Sequence, residues 1–314
     1  MVVNLMGKNK ENNKKTQKFN KISTPSNVIF NIIFWILSLT CIIPIVFVAI
    51  ISITGESSIQ QYGYRFFPKE ISFFAYQYLW ESKGRIFTSY GISILITVAG
   101  TVLGLFLNAT MGYVLSRKNF ALKKFFTYVI LIPMLFNGGM ISFYLVVSGV
   151  LHLKNNLLAL ILPIAVSSFY IIVLRTFFVT TIPDSIIESA KIDGAGQLKI
   201  FFEIVLPISL PALATIGLFL TFSYWNDWFN AMLFIDKDEL LPLQAVLMKI
   251  EKNVEFLKQN SSVMGGTASE VIASLPTESA KMAIVMLVTL PIACTYPFFQ
   301  KYFVSGLTVG AVKG

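Results

Sequence analysis

The stretch ESAKIDGAGQLKIFFEIVLP, residues 188–207, decides how this chain is read. It is a polar segment of helical character set between apolar runs long enough to cross a bilayer. Pro183 suits the first turn of a helix beginning near Thr181, and Asp184 and Glu188 then put negative charge where a helix N-terminus favours it. Asp193-Gly194 is a turn signal. Past it, Leu198, Phe201, Phe202 and Val205 recur at helical spacing and give a second, amphipathic helix, with Pro207 and Pro211 at the entry to the next apolar run. A loop of this shape is a docking element, fit to be gripped by a soluble partner and to pass that partner's motion into the membrane.

Working outward, hydrophobic residues fill 55% of the 314 positions and charged residues 13%, which excludes an ordinary soluble globule. No charged residue falls in 22–55, 86–116, 125–153, 155–174, 204–226 or 282–300. A membrane helix needs roughly 20 mostly apolar residues. The expected fold is therefore an all-α integral membrane protein with six transmembrane helices, at about 28–54, 86–116, 125–150, 157–179, 208–235 and 280–301. The first run is too long for a signal-peptide core and no small-residue cleavage site follows it, so it should be retained. Around the spans lie a basic tail, 1–27, outer loops 55–85 and 236–279, the polar cytosolic loop 181–207, and a C-terminal tail, 304–314.

The net charge is +9. With the N-terminus inside, the cytosolic segments hold all the Lys residues of 1–27, then Arg117, Lys118, Lys123, Lys124, Arg175, Lys191, Lys199, Lys301 and Lys313. The acids on that side are Glu11, Asp184, Glu188, Asp193 and Glu203. This excess follows the positive-inside rule and puts both termini in the cytosol. Beside a membrane span, a basic tail fits anionic lipid better than nucleic acid. Cys41 and Cys294 fall inside spans, and neither pairs with a nearby Cys or with His152, so no disulfide and no metal site is indicated. The chain has neither a GxxxxGK[ST] phosphate loop nor a GxGxxG after a strand. It carries no nucleotide chemistry, and no catalytic residue is expected.

Residues 188–207 resemble the EAA loop of ABC importer permeases. Glu188, Ala190, Asp193, Gly194, Ala195, Ile204, Leu206 and Pro207 stand at that motif's positions, and Ser189 departs from it where the motif prefers Ala. FSYWNDWFNAMLFI at 222–235, PLQAVLMKI at 242–250 and YPFFQKYFVSGLTVGAVKG at 296–314 are similar to the MalG-like sugar-importer branch. FNGGMISFYLVV at 136–147 resembles permeases for polygalacturonan or aldouronate oligosaccharides. The resemblance implies a type I ABC importer permease fold in the bacterial cytoplasmic membrane. It also implies a second homologous permease chain, two cytosolic ATPase subunits holding ATP and Mg, and an extracellular lipoprotein that delivers sugar. In that frame Glu188, Ala190, Asp193, Gly194 and Ala195 couple to the ATPase, and Gly306, Gly310 and Lys313 of the tail contact it.

Simpler readings stand beside these. Ser185-x-x-Glu188 fits a capping box, Gly194 fits an ordinary turn glycine, and Asp193 suits a capping or turn role. Trp225, Asn226, Asp227 and Trp228 mix aromatic faces, amides and a carboxylate as a sugar pathway would. Trp and Tyr also collect in interfacial belts with no ligand. Asn137-Gly138-Gly139 interrupts span three, either for close helix packing or as a broken helix lining the pathway. Arg175 fits an interfacial anchor. A stand-alone secondary transporter or channel is the alternative function. It would need carboxylates buried at mid-span, and only Asp227 lies within a span. A membrane enzyme such as a glycosyltransferase would need a cluster of acids.

Overall fold

The computed structural model describes residues 24–81, 83–260 and 277–311, and among these the only β-type pairing is an isolated antiparallel bridge, Thr54 to Ile71. The basic tail before residue 24, the segment 261–276 and Lys313 lie outside the described residues. The helices are α1 (Thr24–Ser52), α2 (Glu56–Tyr62), α3 (Phe74–Glu81), α4 (Lys83–Ser116), α5 (Lys123–Leu135) and α6 (Gly139–Tyr144), which runs on as a π-helical turn, Leu145–Val150. They continue with α7 (Leu158–Ala165), α8 (Ser168–Thr181), α9 (Asp184–Ile192), α10 (Gln197–Ile208, containing a π turn), α11 (Leu210–Trp225), α12 (Phe229–Phe234), α13 (Leu243–Asn260) and α14 (Thr277–Ala311).

Long charge-free sequence has become long helix. Pro25–Ser52, Lys83–Ser116 and Thr277–Thr295 are each apolar and long enough to cross a membrane alone. Two further pairs qualify as bent units, α7 with α8 at 46° and α10 with α11 at 82°. The run expected at 125–150 is divided: α5 ends at Leu135, Gly139 has φ +79°, and α6 begins there. Pro133, near the end of α5, lacks the N–H that would continue the ladder, and Asn137 Oδ1 accepts the freed Gly139 N–H at 2.9 Å.

The central helix is α4. It packs against α7, α8 and α11, and its small residues let neighbours come close. A Cβ on Gly100 would overlap the Tyr224 ring, and one on Gly104 would lie 3.0 Å from both Ala165 O and a Leu220 methyl. The main core joins Ile96, Ala109, Leu174, Phe178, Ile216 and Leu220. A second cluster ties α3, α11, α13 and α14 together through Leu79, Trp225, Leu243 and Ile284.

One buried polar side chain holds the α7–α8 bend. Asn108 of α4 is fully buried and donates through Nδ2 to Gly104 O (2.6 Å) and Ala165 O (2.7 Å), while its Oδ1 accepts from Ser167 N (3.0 Å). A break in a membrane helix strands backbone groups that lipid cannot satisfy, and Asn108 satisfies two of them.

By contrast, α1 shows apolar side chains from Val28 to Val46 to the surroundings and buries only its last residues, including Ile51 and Ser52, against the bundle. An apolar helical surface of this size is what a bilayer or a second membrane chain covers. At the same end, Ser52 Oγ shares a hydrogen bond with Tyr76 at 2.9 Å, and Tyr64 donates to Glu278 at 2.8 Å. Burial, and then the Glu278 carboxylate, push the Tyr64 phenol up to about 12.

Candidate coupling loop and polar cavities

The polar loop folds as two helices, as its sequence implied, with its start shifted. Pro183 is extended and precedes the helix; α9 begins at Asp184. The residue before it, Ile182, is buried, and ψ of 139° at Pro183 turns the chain out of α8. The capping box is not formed: no side chain caps the N-terminus of α9. Glu188 is exposed and makes no hydrogen bond or ion pair among the described residues. Asp193 ends the helix with its N–H donating to Ser189 O at 3.0 Å, and Gly194 takes φ +83°, a left-handed conformation that L side chains disfavour. Ala195 N then donates back to Ala190 O at 2.9 Å, closing the turn.

One face of this loop is fixed to the bundle. Ile187 and Ala190 are buried, and in the same core Tyr113 lies 5.2 Å from Phe201 and 6.2 Å from Phe178 between ring centroids. The second helix departs from simple amphipathic spacing. Its π turn buries Ile200, Phe201 and Val205, while Leu198 and Phe202 stay exposed. The other face is free, with Ile192 86% and Leu198 75% exposed on either side of the Gly194 turn. A rim of charge holds the loop to the turn after α4: Asp184 lies 2.8 Å from Lys118 and 3.6 Å from Arg117. Arg117 is itself set in place, its guanidinium 5.0 Å from the Tyr113 ring centroid and its Nε donating to Ser116 Oγ at 3.0 Å. Between α9 and this turn lies a groove of about 480 Å³ bounded by Arg117, Lys118, Glu188 and Lys191.

At the opposite end of the bundle the expected pathway residues separate. Trp225 is buried, and its indole N–H donates to Val288 O at 3.1 Å, joining α11 to α14. Asp227 caps α12: Oδ1 accepts from Asn230 N at 3.1 Å and Oδ2 from Asn230 Nδ2 at 2.9 Å. Asn226 and Trp228, in the break between α11 and α12, line a cavity of about 460 Å³ with Gln244, Glu251 and Lys281. Asn137 lies elsewhere, in a cavity of about 690 Å³ at the α5–α6 break with Phe136, Ser142, Phe143 and Phe229. Gly306 and Gly310 belong to α14, which continues into the segment expected as a tail. Sequence reasoning missed Gln244 and Lys281 at the first cavity, and Asn108 in the core. An amide inside a charge-free span was the available signal for Asn108.

Long apolar helices, bent and divided crossings and a polar loop locked on one face only are the architecture of a membrane transport subunit. The chain belongs to the family of binding-protein-dependent transport system inner membrane components, whose model matches residues 100–309. It is a permease subunit of an ABC importer, and ATP hydrolysis falls to separate subunits. Among its relatives, the polygalacturonan/rhamnogalacturonan transport system permease protein YtcP of Bacillus subtilis (strain 168) is 38% identical over 277 residues, 88% of this chain and 94% of that one. Protein LplC of the same organism is 37% identical, over 87% and 90% of the two chains. A solved structure of similar fold, a bacterial ABC transporter involved in the import of the acidic polysaccharide alginate, is 31% identical. It aligns over 90% of this chain and 100% of that one with a TM-score of 0.73.

Proposed function

We propose that this chain is one half of the membrane pathway of an ATP-driven oligosaccharide importer that works by alternating access. Its assembly would comprise a second homologous permease, two cytosolic ATPase subunits that hold ATP and Mg, and an extracellular lipoprotein that delivers the sugar. The transporters to which the relatives belong are named for polygalacturonan/rhamnogalacturonan and for alginate, which supports a sizeable oligosaccharide as cargo. The chain crosses the membrane six times with both termini in the cytosol, and the divided segment 125–150 counts as one crossing. The polar loop and the basic α4–α5 turn share the cytosolic side, as the positive-inside rule favours.

The observation that carries this reading is the two-sidedness of α9. Its inner face is packed into the helical core at Ile187 and Ala190, so a push on the helix moves α4 and α8 with it. Its outer face offers an unpaired carboxylate, Glu188, beside the exposed apolar tips Ile192 and Leu198. The ATPase would grip that face, with Glu188 in a charge-assisted contact. Asp193, Gly194 and Ala195 would let the two backbones approach, and Gly306, Gly310 and Lys313 would give a second contact on the ATPase pair. Sugar would pass Asn226 and Trp228 on one side and Asn137 on the other. Trp225 and Asp227 would hold that path in shape. Exposed irregular backbone at Phe136–Gly138 supports a watery lumen, because lipid does not tolerate it.

The test is Glu188→Lys in the reconstituted importer. Sugar-stimulated ATP hydrolysis and uptake should fall together while the chain remains in the membrane. Wild-type uptake in this variant would remove Glu188 from the coupling contact.

A further inference from the structure

We infer that Trp225 and Tyr90 clasp α14 at a proline break, so that motion of the polar loop reaches the wall of the cavity at Asn226 and Trp228. Both are positioning residues for transport, and the inference rests on the alternating-access reading above.

Pro291 lies inside α14 and has no N–H to give the carbonyl four residues earlier, Leu287 O. The Tyr90 hydroxyl, from α4, donates to that carbonyl instead. The next carbonyl, Val288 O, accepts the Trp225 indole N–H from α11 at 3.1 Å. Two consecutive carbonyls, one turn before the proline, are thus bound from two different helices. Tyr224, the residue before Trp225, donates its hydroxyl to Ile161 O at 2.7 Å, so the end of α11 holds both α7 and α14.

Open space borders this stretch of α14 twice. An almost wholly apolar cavity of about 570 Å³ is bounded by Tyr90, Thr97, Thr221, Trp225, Pro291 and Ile292. Ile284, Val285, Val288 and Thr289 wall the cavity of about 460 Å³ that Asn226 and Trp228 face. With room beside it, α14 bends most easily at Pro291, where a backbone rung is missing.

The motion arrives through α11. That helix joins α10 at 82° and spans 16 residues, about 24 Å from the joint to Trp225. A tilt of α10 under a push on the polar loop therefore displaces Trp225. Releasing Val288 O would leave an indole N–H unpaired in apolar surroundings, which membrane proteins avoid. The outer half of α14 follows instead, bending at Pro291, and the cavity wall shifts with it.

The experiment uses the complete importer in proteoliposomes, with a short oligogalacturonide as the probe, and reads sugar taken up per ATP hydrolysed. Trp225→Phe keeps a ring and loses the N–H; the ratio should fall roughly fivefold, the factor one such hydrogen bond carries, while hydrolysis continues. Pro291→Ala restores the rung to Leu287 O. It should raise the unfolding midpoint yet slow uptake, the opposite of what a packing defect does. Tyr90→Phe should lower the ratio in the wild-type background and change nothing further in the Pro291→Ala background, where the new backbone N–H serves Leu287 O. An unchanged ratio in Trp225→Phe, or uptake and hydrolysis falling in proportion, overturns the clasp. Wild-type uptake in Pro291→Ala, or an equal effect of Tyr90→Phe in both backgrounds, overturns it as well and leaves the alternating-access reading standing. Uptake by the wild-type importer in the absence of ATP overturns both.

Discussion

Glu56 reaches across 221 positions of sequence to Thr277, whose hydroxyl donates to Glu56 Oε1 at 2.8 Å. The same carboxylate accepts from Glu278 N at 3.1 Å, Ser279 N at 3.1 Å and Ser279 Oγ at 2.9 Å. It thus serves as the N-cap of α14, satisfying backbone donors that a helix start leaves orphaned and putting negative charge at the favourable end of the dipole. Because Tyr64 adds a hydrogen bond to Glu278, the α2 segment and the start of α14 form one unit. Lys281 lies one turn below this cap, so its position in the cavity depends on it.

Glu56→Ala should therefore destabilise the protein by about 1–3 kcal/mol, the range for buried donors left without partners. Glu56→Gln, which keeps one acceptor oxygen, should lose less. Thermal unfolding of the purified assembly in detergent checks this, and equal midpoints for wild type and Glu56→Ala would show that water caps the helix equally well.

Asn108 makes a sharper prediction. Replacing it with Leu keeps the volume and strands Ala165 O and Ser167 N at the α7–α8 bend, where bilayer offers no substitute. The expected loss is about 2–5 kcal/mol, read as poor membrane yield and a lowered unfolding midpoint. Asn108→Asp, which keeps the acceptor and loses the donor, should be impaired too. Normal yield of Asn108→Leu would mean that the bend relaxes into a continuous helix.

Several of these features could be read in advance and several could not, for physical reasons. The charge-free runs announced membrane helices because hydropathy depends on composition alone. The polar loop was legible because its turn residues and charges act locally: Gly194 sits in the left-handed region and α9 starts within three residues of Thr181. The failures were long-range. The second helix looked amphipathic by spacing, yet Leu198 and Phe202 stay exposed while the π turn Ile200–Val205 buries Ile200, Phe201 and Val205. Ser185 and Glu188 have capping-box spacing but do not cap, because Pro183 is the extended residue that opens the helix. Nothing local tells Asn226 from Asp227; only the fold turns one to a cavity and the other onto Asn230.

Gly100→Ala tests the close packing of α4. Its new methyl would overlap the Tyr224 ring, and that ring is not free to move, because its hydroxyl is bonded to Ile161 O at 2.7 Å. Overpacking of this kind costs about 1–3 kcal/mol. Gly91→Ala, on the same helix with nothing within 4 Å, should be neutral or slightly stabilising through helix propensity. The pair is read by unfolding midpoint, and similar values for both would show that α4 and α11 lie further apart than described.

Asp184 gives a prediction in pH. The hydrogen bond and charge of Lys118 hold its carboxyl below the usual carboxylate range, and Arg117 adds to this. The Lys118 ammonium is raised in turn, first by its hydrogen bond to Asp184. A carboxyl depressed on folding contributes stability above its unfolded value, about 3.9, and loses it as pH falls through the lower folded value. A raised ammonium contributes below about 10.4 and loses it as pH climbs through the higher folded value. The latch between α9 and the α4–α5 turn should therefore be constant across neutral pH and fail only at the extremes. Asp184→Asn should flatten the acid limb of the unfolding profile relative to wild type. Because both side chains reach solvent, the difference should be small and should shrink further in high salt. Acid limbs of equal slope at low salt would show that the Lys118 contact does not persist in solution.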